Sequence, residues 1–337
     1  MTRWVVCGVV VLVALSGLAR PEEPPAATDG KIQFVCDYPP GVYEYRQAHT
    51  GDTWQRMDGR DLSRDHTEMA VTYTMSVWCV GEKRVPILRF VPRRIEAAVQ
   101  RLGFSGRYDS AGPPAAQSRE LADYLSPLLA KTGLLRMEAE PKATGIADGF
   151  VPQAGGAASM SLALFYAGVS TLHFLHEIYW VLPEKPRAAG DAWKSKTGAW
   201  AIRSPGDRKL PQRVKFERVE TDATGGSYAV LTFTSDMPPA GAGSGGAAAL
   251  SKAEGAHTGF LRYELATRLV REYQDETKWA NHFSVGGPMG RSEQVMGNVY
   301  ATRITVARTG DDSGPLPADL APAGADGAAE DEEHADD

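Results

Sequence analysis

The sequence predicts a mainly β (α+β) protein, made of two similar antiparallel, curved β-sheet units with one or two short helices. Three observations favour this fold class. Apolar and polar residues alternate along several segments, glycine-containing turns separate those segments, and amphipathic helical stretches are few. Such alternation is typical of antiparallel sheets that bury one face and expose the other to water.

The clearest strand signal runs from Met69 to Val77, where apolar residues occupy every second position. Gly81-Glu82 interrupts the pattern before Val85–Phe90, so the sequence predicts a hairpin at this point. The same succession of strand, turn and strand recurs in Arg213–Val219 and Ser227–Thr234. Both pairs of segments are therefore expected to be antiparallel neighbours.

Two further segments extend the strand pattern toward the C-terminus. Thr258–Tyr273 carries Leu261, Tyr263 and Leu265 at alternate positions, which places the three side chains on one face. Val299–Val306 then predicts the last strand.

Helix signals are weaker. Leucines recur on one stripe of Ser118–Lys131, with Ser118 as the candidate N-cap. Pro127 is expected to kink this helix or to divide it in two, because proline has no N–H to donate. Met160–Leu182 is the most apolar internal stretch, and its pattern fits either a buried helix or a helix that runs into a strand.

The N-terminus carries the features of a secretory signal peptide in residues 1–19. Arg3 precedes an apolar run, Trp4–Leu15, and small residues stand before the expected cut at Arg20. The run is shorter than the roughly 20 apolar residues of a membrane-spanning helix. We therefore expect a periplasmic or secreted mature chain with no transmembrane span, in which residues 20–30 form a linker.

The C-terminus changes composition at residue 309. Residues 309–337 contain ten Asp or Glu residues and no Lys or Arg, which predicts a disordered acidic tail. The chain has 36 basic and 42 acidic residues, of which 35 and 32 remain once Arg3 and the tail are set aside. This balance, with its scattered basic residues, argues against a nucleic-acid partner.

A short motif occurs twice and suggests an internal duplication. Gly51-Asp52-Thr53-Trp54 reappears as Gly190-Asp191-Ala192-Trp193, and strand signals follow each copy. In this interpretation each Gly-Asp forms a turn that leads its tryptophan into a strand. The expected domains are an N-terminal β-rich unit with a short helix at residues 31–150 and a C-terminal β-rich unit at residues 151–308.

Cleavage of the signal peptide removes Cys7 and leaves two cysteines, Cys36 and Cys79. A disulfide between them is expected in an oxidising compartment. Such a bridge would stabilise the fold by about 4 kcal/mol. Two separate buried thiols are the alternative.

The motif around Trp193 resembles a known family. Leu182-Pro183-Glu184-Lys185-Pro186 followed by Gly190-Asp191-x-Trp193 is similar to the LPxKPVxVGDxW signature of bacterial secreted β-rich proteins of unknown function. Tyr43-Glu44-Tyr45, and Asp109-Ser110 before a short helix, match further features of that family. Arg187-Ala188-Ala189 departs from its valine-rich strand start. The resemblance implies a β-rich envelope fold with curved sheets like those of lipoprotein carriers, and it implies no catalytic residues.

The chemistry-bearing motifs are few. His173 and His176 could share a helix face and bind a metal, but with Glu177 their order matches no zinc-protease helix. We expect both histidines to be structural. The sequence has no Gly-x-Ser-x-Gly nucleophile motif and no phosphate-binding glycine loop.

These observations predict an exported envelope protein that acts as a non-enzymatic binding or interaction module. The expected partner is an apolar small molecule or an envelope protein. The alternative is an envelope hydrolase whose catalytic residues are dispersed along the chain. The sequence identifies no catalytic residue, no cofactor and no metal site.

Overall fold

The computed structural model describes residues 30–35, 38–81, 84–101, 103–137, 143–144, 181–195, 212–236, 248–287 and 290–317. These residues form one curved, open, antiparallel sheet of 12 strands with a single short α-helix. None of the helices among these residues has the length and the apolar composition of a membrane span.

The strands, in chain order, are β1 (Gly41–Met57), β2 (Arg60–Val80), β3 (Val85–Arg101), β4 (Phe104–Asp109), β5 (Gly133–Met137), β6 (Ala143–Thr144), β7 (Ala192–Lys194), β8 (Arg213–Thr221), β9 (Ser227–Asp236), β10 (Ala248–Glu264), β11 (Leu269–Gly287) and β12 (Gly290–Gly310). Their order across the sheet is β6-β5-β3-β2-β1-β12-β11-β10-β9-β8-β7, and β4 also pairs with β3. The first and last strands therefore lie side by side, which joins the two halves of the chain.

The prediction of a mainly β, antiparallel fold is confirmed. The two predicted units are the two halves of one sheet, which meet where β1 pairs with β12. The predicted hairpins are present as β2–β3 and β8–β9. Gly81, in the first of these turns, has a φ of 69°, a conformation that glycine adopts without strain. The segment Thr258–Tyr273 forms the hairpin between β10 and β11.

The predicted helix is divided as the sequence suggests. The α-helix α1 spans Arg119–Leu125, and a 3₁₀ helix follows at Ser126–Ala130 with Pro127 in its first turn. Because proline cannot donate to the preceding turn, the α-helical hydrogen bonds stop there. Ser118 is the N-cap residue, although its side chain makes no capping hydrogen bond.

The sheet has one buried face, which we call the inner face. It carries aromatic side chains from both halves, such as Tyr45 on β1, Phe90 on β3 and Tyr263 on β10, each at most 1% exposed. The Tyr45 and Phe90 rings lie 5.6 Å apart, and Phe34 lies 5.2 Å from Tyr263. Leucines of α1 complete the same cluster. Burial of each large apolar side chain contributes roughly 1.5–3 kcal/mol.

The acidic tail begins later than its composition suggests. β12 continues to Gly310, and the hydroxyl of Ser313 lies 2.9 Å from the backbone nitrogen of Gly41. The indole nitrogen of Trp78 donates to the carbonyl oxygen of Gly314 at 3.0 Å. The first residues of the predicted tail thus belong to the fold, because they satisfy backbone groups at the ends of β1 and β2. Residues 318–337 lie outside the described part of the chain.

The prediction that the two Gly-Asp-x-Trp motifs occupy equivalent places is wrong. Gly51-Asp52 lies inside β1, in register with both neighbouring strands, and forms no turn. Gly190 has a φ of 93° and does belong to a turn, which leads into the short edge strand β7. Backbone pairing with β2 and β12 holds the first motif extended despite its turn-forming residues.

Candidate functional site

The face opposite the inner face, which we call the outer face, carries three alanines on β1 to β3. Ala48 on β1 lies directly opposite Ala70 on β2, and the partner of Ala70 on β3 is Glu96. Ala98 on β3 lies opposite Glu68 on β2. These positions alternate with buried inner-face residues because side chains in a strand point to opposite faces. The alanines form a small apolar floor between Glu68 and Glu96.

An open cleft of about 680 Å³ extends over this floor, and four buried inner-face residues also contribute to its lining. Its lining comes from β1 to β4 and from the loop that follows β4: Arg46, Ala48, His49, Thr50, Glu68, Met69, Ala70, Glu96, Ala97, Ala98, Arg107, Tyr108, Asp109, Gly112, Pro113, Ala116 and Gln117. The volume is within the range of small-molecule sites, which spans about 300–1,000 Å³.

The loop on one side of the cleft is held to β4 by specific hydrogen bonds. The side-chain amide of Gln117 donates to the carbonyl oxygens of Asp109 and Gly112, at 2.7 and 2.8 Å. The hydroxyl of Ser110 accepts the backbone N–H of Ile95 at 3.0 Å. The Asp109-Ser110 motif is therefore a structural element that fixes the wall of the cleft.

A network of ion pairs borders the floor. Arg94 binds the two carboxylate oxygens of Asp109 at 3.1 and 2.8 Å, and it also contacts Glu96 at 3.1 Å. Arg46 approaches Glu96 at 3.3 Å. The hydrogen bonds from Arg94 and from the backbone of Ala111 hold the pKa of Asp109 below its ordinary value. Asp109 is therefore ionised at neutral pH and is unsuited to act as a general acid.

The remaining charged residues of the cleft are Glu68 and Arg107. Glu68 accepts a hydrogen bond from the Nε2 atom of His66 at 3.1 Å, and this contact raises the pKa of His66. Arg107 is exposed and lies opposite Ala98 in the register of β3 and β4. Its guanidinium makes no hydrogen bond or ion pair with any residue that the structure describes.

The inner face has a different polar group, a buried histidine–aspartate pair. The Nε2 atom of His257 lies 3.0 Å from the carboxylate of Asp275, which also accepts the hydroxyl of Tyr273 at 3.0 Å. The Nδ1 atom of His257 lies 3.3 Å from the side-chain nitrogen of Gln212. His257 is 1% and Asp275 5% exposed. Both imidazole nitrogens are thus engaged, and the pair faces the interior.

The predicted disulfide is not tested by the structure, because Cys36 lies outside the described residues. The Sγ atom of Cys79 is 3.6 Å from the carbonyl oxygen of Tyr38, two positions after Cys36 in the chain. This proximity is compatible with a bridge, so the disulfide stays a prediction.

His173, His176 and Glu177 also lie outside the described residues, as do residues 1–29, which contain the predicted signal peptide. Within the described ranges no group of three His, Cys, Asp or Glu side chains could hold a metal ion.

The two tryptophans of the repeated motif have structural contacts. Trp193 donates its indole N–H to the carbonyl oxygen of Val181 at 3.1 Å, and the guanidinium of Arg187 lies 5.4 Å from the centre of its ring. The Trp54 indole packs directly on the backbone of Gly297 in β12, because glycine has no side chain at this position. Both contacts agree with the structural interpretation of these residues.

Sequence reasoning missed both polar sites. Every second residue at the start of β1 is buried, first two aromatic and then two polar side chains: Tyr43, Tyr45, Gln47 and His49. This alternation is a sequence signal that could have predicted buried polar groups. The alanines of the cleft gave no comparable signal, because they stand on three strands and only the pairing register aligns them.

Neither a protein-family profile nor a curated protein matches this sequence. The resemblance to bacterial secreted β-rich proteins therefore stays an expectation.

Two solved structures align with much of the chain at low similarity. A structure of lipovitellin, described for its lipid–protein interactions, aligns with a TM-score of 0.40 and 10% identity over 83% of this chain and 26% of its own. An outer membrane channel from Pseudomonas putida F1 aligns with a TM-score of 0.18 and 5% identity, over 80% of this chain and 97% of the channel's own chain. The chain thus spans only 26% of the lipovitellin chain. Similarity this low carries no argument about function.

Proposed function

We propose that the protein is an exported, non-enzymatic binding module that holds a small molecule with an apolar body in the outer-face cleft. The observation that carries this proposal is the cleft of about 680 Å³ over Ala48, Ala70 and Ala98. A floor of alanines with a charged border combines apolar contact area with polar orienting groups, as small-molecule sites do.

The position of the cleft changes one expectation. The resemblance implied curved sheets like those of lipoprotein carriers, whereas the described residues form one sheet whose inner face is filled by aromatic side chains and α1. A ligand on the outer face needs no rearrangement of that core. Export to the periplasm or the medium is part of the proposal and rests on the N-terminal sequence.

The charges of the cleft favour binding over catalysis. Asp109 is held ionised by Arg94, and Glu96 lies between Arg94 and Arg46. General acid catalysis needs a carboxyl group whose pKa is raised toward the working pH, and Asp109 is shifted in the opposite direction. These groups can orient a ligand without reacting with it.

A hydrolase is the second candidate, and the His257–Asp275 pair is the observation that favours it. Ser235 lies opposite His257 in the pairing of β9 and β10. The pair is nevertheless buried, and Gln212 occupies the nitrogen that a serine hydroxyl would need. If the protein hydrolyses p-nitrophenyl esters and His257→Gln abolishes that activity in a folded protein, the hydrolase moves ahead.

A titration with the neutral fluorescent probe N-phenylnaphthylamine tests the binding proposal. Ala70→Phe places a ring on the floor of the cleft and should weaken binding by at least about tenfold, because the ring occupies volume that the ligand needs. Ser76→Phe, on the outer face of the same strand but outside the cleft, is the matched control and should bind like the unaltered protein. Equal affinity in Ala70→Phe and Ser76→Phe would rule out this cleft as the site.

A further inference from the structure

We infer that the ligand of the cleft is an anionic amphiphile whose acidic group binds Arg107. This inference rests on the proposed binding function and specifies the chemical class of its ligand. It depends on how the charges around the cleft are distributed among their partners.

The three carboxylates of the cleft already have hydrogen-bonding partners. Glu96 contacts Arg46 and Arg94, and Asp109 is bound at both oxygens by Arg94. Glu68 lies 3.1 Å from the Nε2 atom of His66. Each carboxylate therefore has a polar partner other than Arg107.

Arg107 is the cation that these pairs leave over. Among the residues that the structure describes, no carboxylate lies within ion-pair distance of its guanidinium. A guanidinium presents five N–H donors in a planar fork that matches a carboxylate, sulfonate or phosphate group. An anion bound here would give Arg107 an acidic partner, which Arg46 already has in Glu96.

The location of Arg107 explains why the anion should carry an apolar body. Arg107 faces Ala98 directly across the β3–β4 pair, at a Cβ separation of about 5 Å. Ala70 lies diagonally from Ala98, two positions along β2 from its direct partner Glu68, and Ala48 lies opposite Ala70. A molecule whose acidic group binds Arg107 can therefore lay its apolar part along the three alanines.

Two probes that differ by a single anionic group test the inference. Anilinonaphthalene sulfonate and N-phenylnaphthylamine share the same aromatic body, and only the former carries a charge. We expect the sulfonate to bind the full-length protein about tenfold more tightly, as for one charge-assisted hydrogen-bonding group. Arg107→Gln should remove this preference, so that the two probes bind the variant with equal affinity. Arg89→Gln, on the outer face but outside the cleft, should keep the preference.

The outcomes separate the two proposals. If both probes bind equally and Arg107→Gln changes nothing, the anionic ligand is refuted while a neutral ligand in the cleft still stands. If neither probe binds the unaltered protein, both proposals fail. Melting temperatures of Arg107→Gln and Arg89→Gln should match that of the unaltered protein, because both side chains belong to the surface.

Competition distinguishes an amphiphile from a free inorganic anion. Decanoate should displace anilinonaphthalene sulfonate from the cleft, because it offers both a carboxylate for Arg107 and a chain for the alanine floor. Inorganic phosphate at the same concentration should leave the probe bound. Displacement by phosphate as effective as displacement by decanoate would contradict the assignment of an amphiphile.

Discussion

The inner and outer faces of β1–β3 are made by the same strands and differ in almost every physical property. On the inner face Tyr45 and Phe90 are 0% exposed and pack edge to face at 5.6 Å. On the outer face Ala48 and Ala70 leave a cleft of about 680 Å³ bordered by ion pairs. Alternation along a strand thus lets one sequence segment specify a core and, independently, the surface that we propose binds a ligand. Substitutions on the two faces should accordingly affect stability and binding separately.

The largest expected difference concerns stability. Phe90→Ala removes an inner-face ring that packs against Tyr45 and Tyr73 and should lower the free energy of unfolding by about 3–5 kcal/mol. Ala70→Phe, on the outer face of β2, should change it by less than about 1 kcal/mol, because an open cleft can accept the ring. Urea unfolding at a fixed temperature measures the change in the free energy of unfolding for both variants. Similar losses for the two variants would show that the outer face is packed as tightly as the core.

A second comparison uses one glycine from each face. A methyl group at Gly259 would overlap the Phe233 ring and the carbonyl oxygen of Gln274. Gly259→Ala should therefore destabilise the protein by about 1–3 kcal/mol, because neither neighbour can move freely in the core.

The outer-face counterpart is Gly297, where a methyl group would overlap mainly the Trp54 indole. Gly297→Ala should cost less than Gly259→Ala, because Trp54 is only half-buried and can shift toward solvent. The double variant Trp54→Ala/Gly297→Ala should recover part of that loss. Additive losses in the double variant would mean that the indole is not the obstacle.

The smallest predicted effect is a pH dependence on the outer face. Hydrogen bonds to Glu68 and Asp52 raise the pKa of His66 above its ordinary value, so the folded state favours the imidazolium. The resulting stabilisation is complete below the ordinary histidine pKa of about 6.5 and is lost as the pH rises through the raised value. The free energy of unfolding of the unaltered protein should therefore exceed that of His66→Gln by more at about pH 5 than at about pH 8. Urea unfolding at both pH values measures it, and an advantage that grows with pH would contradict the assignment.

The sequence predicted those features that depend on residues close together in the chain. The alternation in Met69–Val77 predicted β2, and Pro127 predicted the division of the helix, because both effects act within a few residues. The pairing of β1 with β12 joins Val42 to Gly310, a contact between distant segments that no local pattern records. The turn predicted at Gly51-Asp52 is absent because β2 and β12 pair with these residues on both sides and hold them extended.

The candidate site was inaccessible to sequence reasoning for the same reason. Ala48, Ala70 and Ala98 become neighbours only through the registers of three strands. That Arg107 has no acidic partner among the described residues likewise depends on where the other charged side chains are directed.

Two adjacent residues of β2 test whether the outer face binds the ligand while the inner face supports the fold. Ala70 belongs to the cleft, and Val71, which is 4% exposed, belongs to the core. The affinity for N-phenylnaphthylamine should fall at least about tenfold in Ala70→Phe and stay unchanged in Val71→Ala, while Val71→Ala alone loses stability by a few kcal/mol at most. An affinity that changes in Val71→Ala and not in Ala70→Phe would place the ligand on the inner face and contradict the account.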